Sequence, residues 1–451
     1  NISYSPSGLN ADEAALGYNA YSLMLTGKDE HGHPWPVNLE SFGDFKPAGY
    51  TYLLIPFIKV FGLTEFAVRL PSVIFGVLGV LGIYLLTYEL LSTWPLALST
   101  AIMLAISPWH LHFSRGAWEV NVSTTLIVFG MWLLVKWLKN PKFHYLLISN
   151  LYFLISMYTY QSSRVIVPLL GLGIFMMYFK NFKENIKQSI SALILLFILL
   201  IPLLVSIIKS DATSRLSGVG ILADTGPTER AKELRIQHGD LKSIPSKLLH
   251  NRPVQYSLRF IQNYLDHFDG NFLFISGDVI ERSKVPQMGL FYLTDFIFLA
   301  LGVVFLLRTQ HLAPSTKLIW MWLLISPIAS AMTFQTPHAL RAFNMVVPMT
   351  IIISTGVYKV LKGTPFRLER GLLIIVSLVY FWQLGDYLYK YHIRYPQEYP
   401  AAWEYGFKEL VAYTESVKDK YPKIWVTDKY DQPYILFLFY SHYDPRKFQD
   451  N

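Results

Sequence analysis

The sequence predicts an all-α polytopic membrane protein with a small α/β appendage at its C-terminal end, on three observations. Of 451 residues, 52% are hydrophobic and only 16% are charged, whereas a soluble domain carries about a quarter charged residues, so the bilayer is the solvent this composition fits. Spans such as 193–207, 296–307 and 372–382 hold no charge at all, and each lies in a longer apolar stretch approaching the roughly 20 residues that cross the hydrocarbon. After about residue 392 the pattern becomes polar and mixed.

The apolar pattern predicts ten spans, at about 66–90, 95–113, 120–138, 143–160, 163–180, 189–208, 289–307, 316–332, 341–361 and 369–391. Their short connections alternate in charge. One set carries Lys136, Lys139 and Lys142, then Lys180, Lys183 and Lys187, then Arg308 and Lys317, then Lys359, Lys362, Arg367 and Arg370. The positive-inside rule assigns that set to the cytoplasm. The non-cytoplasmic side then receives residues 1–65, the turns at 114–119, 161–163 and 333–340, the long segment 209–288 and the tail 392–451. Segment 45–62 is apolar but holds Pro47, Pro56 and Lys59. If it crossed, every later loop would invert, so it is expected to lie on or re-enter the outer surface. The resulting organisation is an outer first loop (1–65), a bundle (66–391) and a C-terminal segment (392–451).

Residues 12–26 read as an amphipathic surface helix with Asn10 as N-cap and Asp12-Glu13 in the first turn. In the tail, 398–420 is a polar helical pattern, 423–428 a strand, and 432–440 an aromatic helix or second strand. The sequence opens at Asn1 without Met or a signal region, which predicts an anchor helix before it and a tail cut at Asn451. The formal charge of +8 is spread between apolar spans, unlike the single basic stripe of a nucleic-acid binder. Zero Cys excludes disulfides and thiolate metal sites. There is no internal repeat, low-complexity run or Gly-rich phosphate loop.

Asp12-Glu13 stands at a helix start near the membrane surface, where a general base would have a short reach to a lipid-borne substrate. Acids in a first turn also simply favour the helix dipole. Lys46 precedes Pro47 at the opening of the apolar segment, as a cation aimed at a phosphate or as a snorkelling lysine. The outer turns hold further cations against the topology bias: Arg115, Arg164, Arg282 and Arg341. An Arg cluster so placed is what an anionic substrate pocket requires.

In order and spacing, Asp12-Glu13, Lys46-Pro47, Phe66-Ala-Val-Arg-Leu-Pro-Ser72 and Ser107-Pro-Trp-His-Leu-His-Phe-Ser-Arg115 resemble the C-type membrane glycosyltransferases, especially protein O-mannosyltransferases and lipid A aminoarabinose transferases. The likeness covers residues 1 to about 391. It implies Asp12 as catalytic base with Glu13 in support, Glu119 as a second outer-loop acid, and Lys46 on the carrier phosphate. Arg115, Arg282, His338 and Arg341 resemble basic positions that meet that phosphate. Two departures stand out: Lys46 is followed by Pro-Ala instead of Pro-Pro, and Ala15 replaces an arginine of the aminoarabinose group.

The resemblance implies an inverting transfer of a sugar from a polyprenyl phosphate to an acceptor hydroxyl or amine, at the outer face of a prokaryotic inner or plasma membrane. Protein, lipid or glycan acceptors all fit, and no nucleic acid is involved. No metal or other cofactor is predicted: His110, His112, His267 and His338 lack zinc-helix spacing, and the one pair a divalent ion would bridge is Asp12 with Glu119. Trp109, Trp118 and the Tyr158–Gln161 run read as an aromatic belt, and Gly277-Asp278 as a turn. The rival readings are a flippase for the lipid-linked sugar, which would want polar residues deep in the membrane, and a scaffold whose outer loops bind a partner. An oligosaccharyltransferase would bring a larger outer domain.

Overall fold

Small residues set the architecture at the N-terminal end. Helix α1 (Ala11–Thr26) starts at Asn10 with a capping box: the Asn10 side chain accepts from Glu13 N–H and the Glu13 carboxylate from Asn10 N–H. Its face is not half polar. Ala14, Ala15, Gly17 and Ala20 are buried and let other segments of the chain approach closely, and a Cβ on Gly17 would overlap both Phe439 and Val68. The amphipathic-surface expectation is therefore corrected: α1 is buried on most sides from Ala11 to Leu23, with Asp12 the partly exposed exception in its first turn.

The computed structural model describes residue 2 and residues 5–209, 218–238, 243–308 and 314–450. The expected ends at Asn1 and Asn451, and parts of the long outer segment, lie outside them. Strands β1 (Asn38–Ser41) and β2 (Asp44–Pro47) form an antiparallel hairpin, with Leu39 opposite Lys46. Its two-residue turn, Phe42-Gly43, takes positive φ at both positions, 57° and 73°, the backbone that matches strand twist. Helix α2 (Gly49–Phe61) has 13 residues, about 20 Å at 1.5 Å per residue. It buries Tyr50, Leu54 and Ile58 in one cluster with α1 and Val68.

All ten expected spans are helical: α3 (Glu65–Leu91), α4 (Trp94–Ile106), α5 (Pro108–Phe113), α6 (Glu119–Lys139), α7 (Phe143–Thr159), α8 (Ser163–Met177), α9 (Phe179–Glu184) and α10 (Ile186–Lys209), then Leu293–Arg308, Pro314–Ile325 with Ile328–Ala331, Val346–Gly363 and Phe366–Tyr389. Among the described residues five helices are long and apolar enough to cross a membrane. One of the other expected spans is interrupted where proline disfavours helical geometry at the preceding residue, at Ser107-Pro108, with Ser107 extended. The protein is an integral membrane bundle.

Two expectations need correction. Trp109 is fully buried, packed edge-on against Phe272, Phe291 and Phe343 with its indole N–H on the Ala339 carbonyl at 3.2 Å. Trp118 is buried too, so neither belongs to an interfacial belt. Residues 423–428 form no strand: their alternation is strand-like, but among the described residues no second strand lies alongside, and an isolated strand leaves its backbone unpaired. The tail is helical where it packs. Pro433–Tyr440 buries Ile435, Leu436 and Phe439 against α1, so this part of the C-terminal segment is built into the fold.

Connectivity separates the two ends of the bundle. The lysines of the short loops close α6, α8 and Val346–Gly363, while the starts of α3, α6 and α8 and the ends of α7 and α10 gather at the opposite end.

Candidate active site

At that opposite end a cavity of about 210 Å³ is walled by Asp12, Glu13, Lys46, Glu119, Arg282, His338 and Arg341. Seven of the eight residues singled out from sequence thus line one space, although they come from α1, β2, α6 and two separate outer turns. Arg115 is the exception. Its guanidinium lies 5.1 Å from the centre of the Tyr391 ring, and it forms no part of the cavity wall.

The two acids differ sharply. Glu13 is 2% exposed, and its oxygens receive Arg69 Nε at 2.9 Å and Nη2 at 2.8 Å, plus Ala117 N–H at 2.7 Å. Arg69 is itself fully buried and donates onward to the carbonyls of Ile2, Pro6 and Gly8. This bidentate pair braces α1 against α3 and the turn before α6, so Glu13 is a strut whose lone pairs are spent. Asp12, on the next turn face, has a side chain 42% exposed. It is ion-paired with Lys46 through one oxygen, and its other oxygen stands 3.8 Å from Arg282 Nη1.

Each cation is held from behind. Gln161 Nε2 donates to the Phe45 carbonyl at 2.7 Å, and Arg164 Nη2 to Asn38 Oδ1 at 2.6 Å, so the start of α8 fixes the hairpin that presents Lys46. Arg164 is thereby a tether of the hairpin. The Lys46 ammonium also sits 5.1 Å from the Phe42 ring centre. The Arg282 carbonyl accepts from His112 Nε2 at 2.7 Å. Arg341 Nη1 donates to Thr333 Oγ1 at 2.7 Å and stands at the seam between the polar cavity and an adjoining, largely apolar one of about 300 Å³.

Asp278, expected only as a turn residue, is fully buried and joins two outer turns. It accepts from Ile280 N–H at 2.9 Å and Ala339 N–H at 2.6 Å, with His338 Nδ1 at 3.3 Å. Burial pushes its carboxyl up, but the bonds from His338, Ile280 and Ala339 outweigh it and hold it below the ordinary range. Burial likewise pulls the His338 imidazole down, against the pull of Asp278. His338 therefore meets the cavity as a mainly neutral ring on a fixed turn.

Among the described residues no three His, Asp or Glu side chains converge on one point. Asp12 is ion-paired with two cations, Lys46 and Arg282.

Sequence reading missed Arg69, although it lies inside the 66–72 motif. The signal was an arginine within an apolar span, which needs a buried acid partner.

The description dolichyl-phosphate-mannose-protein mannosyltransferase fits residues 46–208 of this chain, from Lys46 through α10. Among solved structures, ArnT of Cupriavidus metallidurans bound to undecaprenyl phosphate is 9% identical over 98% of this chain and 72% of its own, with a TM-score of 0.50. The oligosaccharyltransferase of Archaeoglobus fulgidus, solved with Zn and sulfate, is 12% identical over 96% of this chain and 56% of its own, TM-score 0.55. The same organism's AglB, solved with an inhibitory peptide and a dolichol-phosphate, is 12% identical over 94% and 57%, TM-score 0.53. No curated protein matches. The fold is that of the C-type membrane glycosyltransferases. The likeness to these structures is one of fold, and the family description covers residues 46–208 alone.

Proposed function

We propose that this chain transfers a sugar, with inversion, from a polyprenyl phosphate to an acceptor hydroxyl or amine at the non-cytoplasmic face of the membrane. The observation that carries this reading is the Lys46–Asp12–Arg282 arrangement at the cavity wall. An exposed carboxylate flanked by two cations is a base in reserve. When a donor phosphate enters, its oxygens compete for Lys46 and Arg282, and Asp12 is released to take the acceptor proton. The acceptor oxygen or nitrogen forms a bond to the anomeric carbon as the bond to phosphate oxygen breaks, and polyprenyl phosphate leaves. That leaving group needs positive charge more than it needs a proton, which Lys46, Arg282 and Arg341 supply.

The adjoining apolar cavity beside Arg341 suits the first isoprene units of the carrier, and Glu119 suits orientation of the sugar or acceptor. A protein acceptor is the choice favoured by the family description. A flippase reading finds less support, because the polar cavity sits at one end of the bundle instead of midway along broken spans. The test is Asp12→Asn in detergent or nanodiscs, assayed for release of polyprenyl phosphate and for glycosylated acceptor. Loss of about 10²–10⁴-fold in rate is expected for a general base, with the donor still bound. Undiminished transfer would remove Asp12 from the role.

A further inference from the structure

A larger cavity, of about 680 Å³, lies toward the lysine-rich end of the bundle, between α7, α8 and α10. Its walls are apolar, and among the described residues Lys183 is the only charged one in them. On α10 the wall runs from Ile186 to Leu200 and on α7 from Leu146 to Met157, about 21 Å and 16 Å at 1.5 Å per residue. That is close to the depth of one leaflet, half of a hydrocarbon core about 30 Å thick. The gap is built into the packing. Gly171 of α8 lies in the wall, and a Cβ there would meet nothing within 4 Å. Helix α10 is pinned at both ends of the slot and does not lean in to close it: Gln188 Oε1 accepts from Trp137 Nε1 at 2.9 Å, and the Leu199 carbonyl from the Tyr158 hydroxyl at 2.8 Å. A void of this size would forfeit the dispersion contacts of every side chain around it. It therefore suits an apolar chain.

The two loops at the mouth of the slot are tied together. Asn181 Nδ2 donates to the Leu138 carbonyl at 3.1 Å, Gln188 Nε2 to the Pro141 carbonyl at 3.3 Å, and the Phe182 and Trp137 rings pack with centres 4.9 Å apart. These contacts set the loop of Lys136, Lys139 and Lys142 beside that of Lys180, Lys183 and Lys187. Lys139 and Lys180 are paired with Glu89 and Glu184, and Lys136 lies over the Trp132 ring. Lys142, Lys183 and Lys187 are exposed, and among the described residues no carboxylate stands within ion-pair distance of them. Topology requires lysines at this end, but it does not require two lysine loops bonded to each other above a slot. Basic groups over a gap between membrane helices are the chemistry that holds an anionic head group.

We propose that this slot binds a phospholipid with an anionic head group: an acyl chain lies between α7, α8 and α10, and the head-group phosphate meets Lys183, with Lys142 and Lys187 beside it. The length of the slot fits a chain that ends at mid-membrane, and the free lysines select the charge of its head. The site is separate from the transfer chemistry and stands whether or not Asp12 is the base.

The experiment is native mass spectrometry of the whole chain in detergent, titrated with dioleoylphosphatidylglycerol or with dioleoylphosphatidylcholine. The wild type should retain the anionic lipid more strongly than the zwitterionic one. Lys183→Gln should lower retention of the anionic lipid about fivefold, the factor one lysine contributes beside an anionic head group, and leave the zwitterionic lipid unaffected. Gly171→Leu, which fills the slot and keeps the lysines, should lower retention of both. The control is Lys359→Gln, which removes one exposed charge from another loop at the same end and should change nothing. Equal losses in Lys183→Gln and Lys359→Gln would mean that only net charge is sensed, and the site would fall. Equal retention of the two lipids by the wild type would also overturn it. Displacement of the anionic lipid by polyprenyl phosphate, abolished by Gly171→Leu, would assign the slot to the donor's tail instead, and a lipid-free dimer would assign it to a second copy of the chain. If Gly171→Leu does not fold, the two lysine variants decide, because both positions are on the surface.

Discussion

The two ends of the bundle use the same residue types in opposite ways. At the lysine-rich end most pairs are close in sequence, with the lysine largely in solvent: Lys180–Glu184 at 3.8 Å, with side chains 87% and 59% exposed, and Lys362–Glu369 at 3.4 Å, while Lys139, 47% exposed, reaches the more distant Glu89 at 3.0 Å. At the other end, Arg69 reaches Glu13 across 56 residues at 2.8 Å with both side chains essentially buried, and Lys46 reaches Asp12 across 34. The first arrangement reports which loops stay together on one side and contributes little to stability. The second spends desolvation energy to hold charge at fixed points, which is worth doing where an anion must be met. Charge that sets topology is thus separable from charge that makes a site, and the separation is open to experiment.

The sharpest break is Glu13→Gln. It leaves Arg69 charged and fully buried with only carbonyls around it, a mechanism that costs about 3–5 kcal/mol when one partner of a buried pair is removed. Thermal unfolding in nanodiscs should show a large drop in midpoint, and a midpoint near wild type would mean that the pair does not brace α1. Next in size is Lys46→Met, which keeps the stem packed beside Phe42 but removes the ammonium. The expected loss is about 10²–10³-fold in kcat/KM for the lipid-phosphate donor, the usual scale for removing one charge-stabilising group. Stability should change little, because the Lys46 pair is partly exposed. Equal activity with and without the ammonium would detach Lys46 from the phosphate.

Much of this contrast can be read from sequence, and the missing part has a physical cause. Hydropathy locates all ten helical stretches, because burial in lipid demands long apolar runs. The capping box at Asn10 and Glu13 is local, so four residues suffice to read it. The gathering of Asp12, Lys46, Glu119, Arg282, His338 and Arg341 around one cavity came from family resemblance, since spacing alone carries no information about contacts between α1, β2 and turns hundreds of residues later. Helix α1 was misread because Ala and Gly look neutral on an amphipathic pattern, while in space they admit close neighbours. The tail was misread for a related reason: the partners of Ile435 and Phe439 are more than 400 residues earlier in the chain. Hairpin β1–β2, with strands of four residues each, falls below the length at which alternation is visible.

The smallest expected effect completes the comparison. Lys180→Gln removes a charge from the lysine-rich end, where its partner Glu184 lies one helical turn away and both side chains are mostly in solvent. An exposed i,i+4 pair contributes about 0.3–0.5 kcal/mol, so the unfolding midpoint should barely move and transfer should stay within about twofold of wild type. The useful readout is the contrast with Lys46→Met at equal charge change. If the two variants lost transfer alike, net positive charge would be acting through the field of the whole protein on an anionic donor. If only Lys46→Met loses it, the effect belongs to one ammonium held on a hairpin beside Asp12.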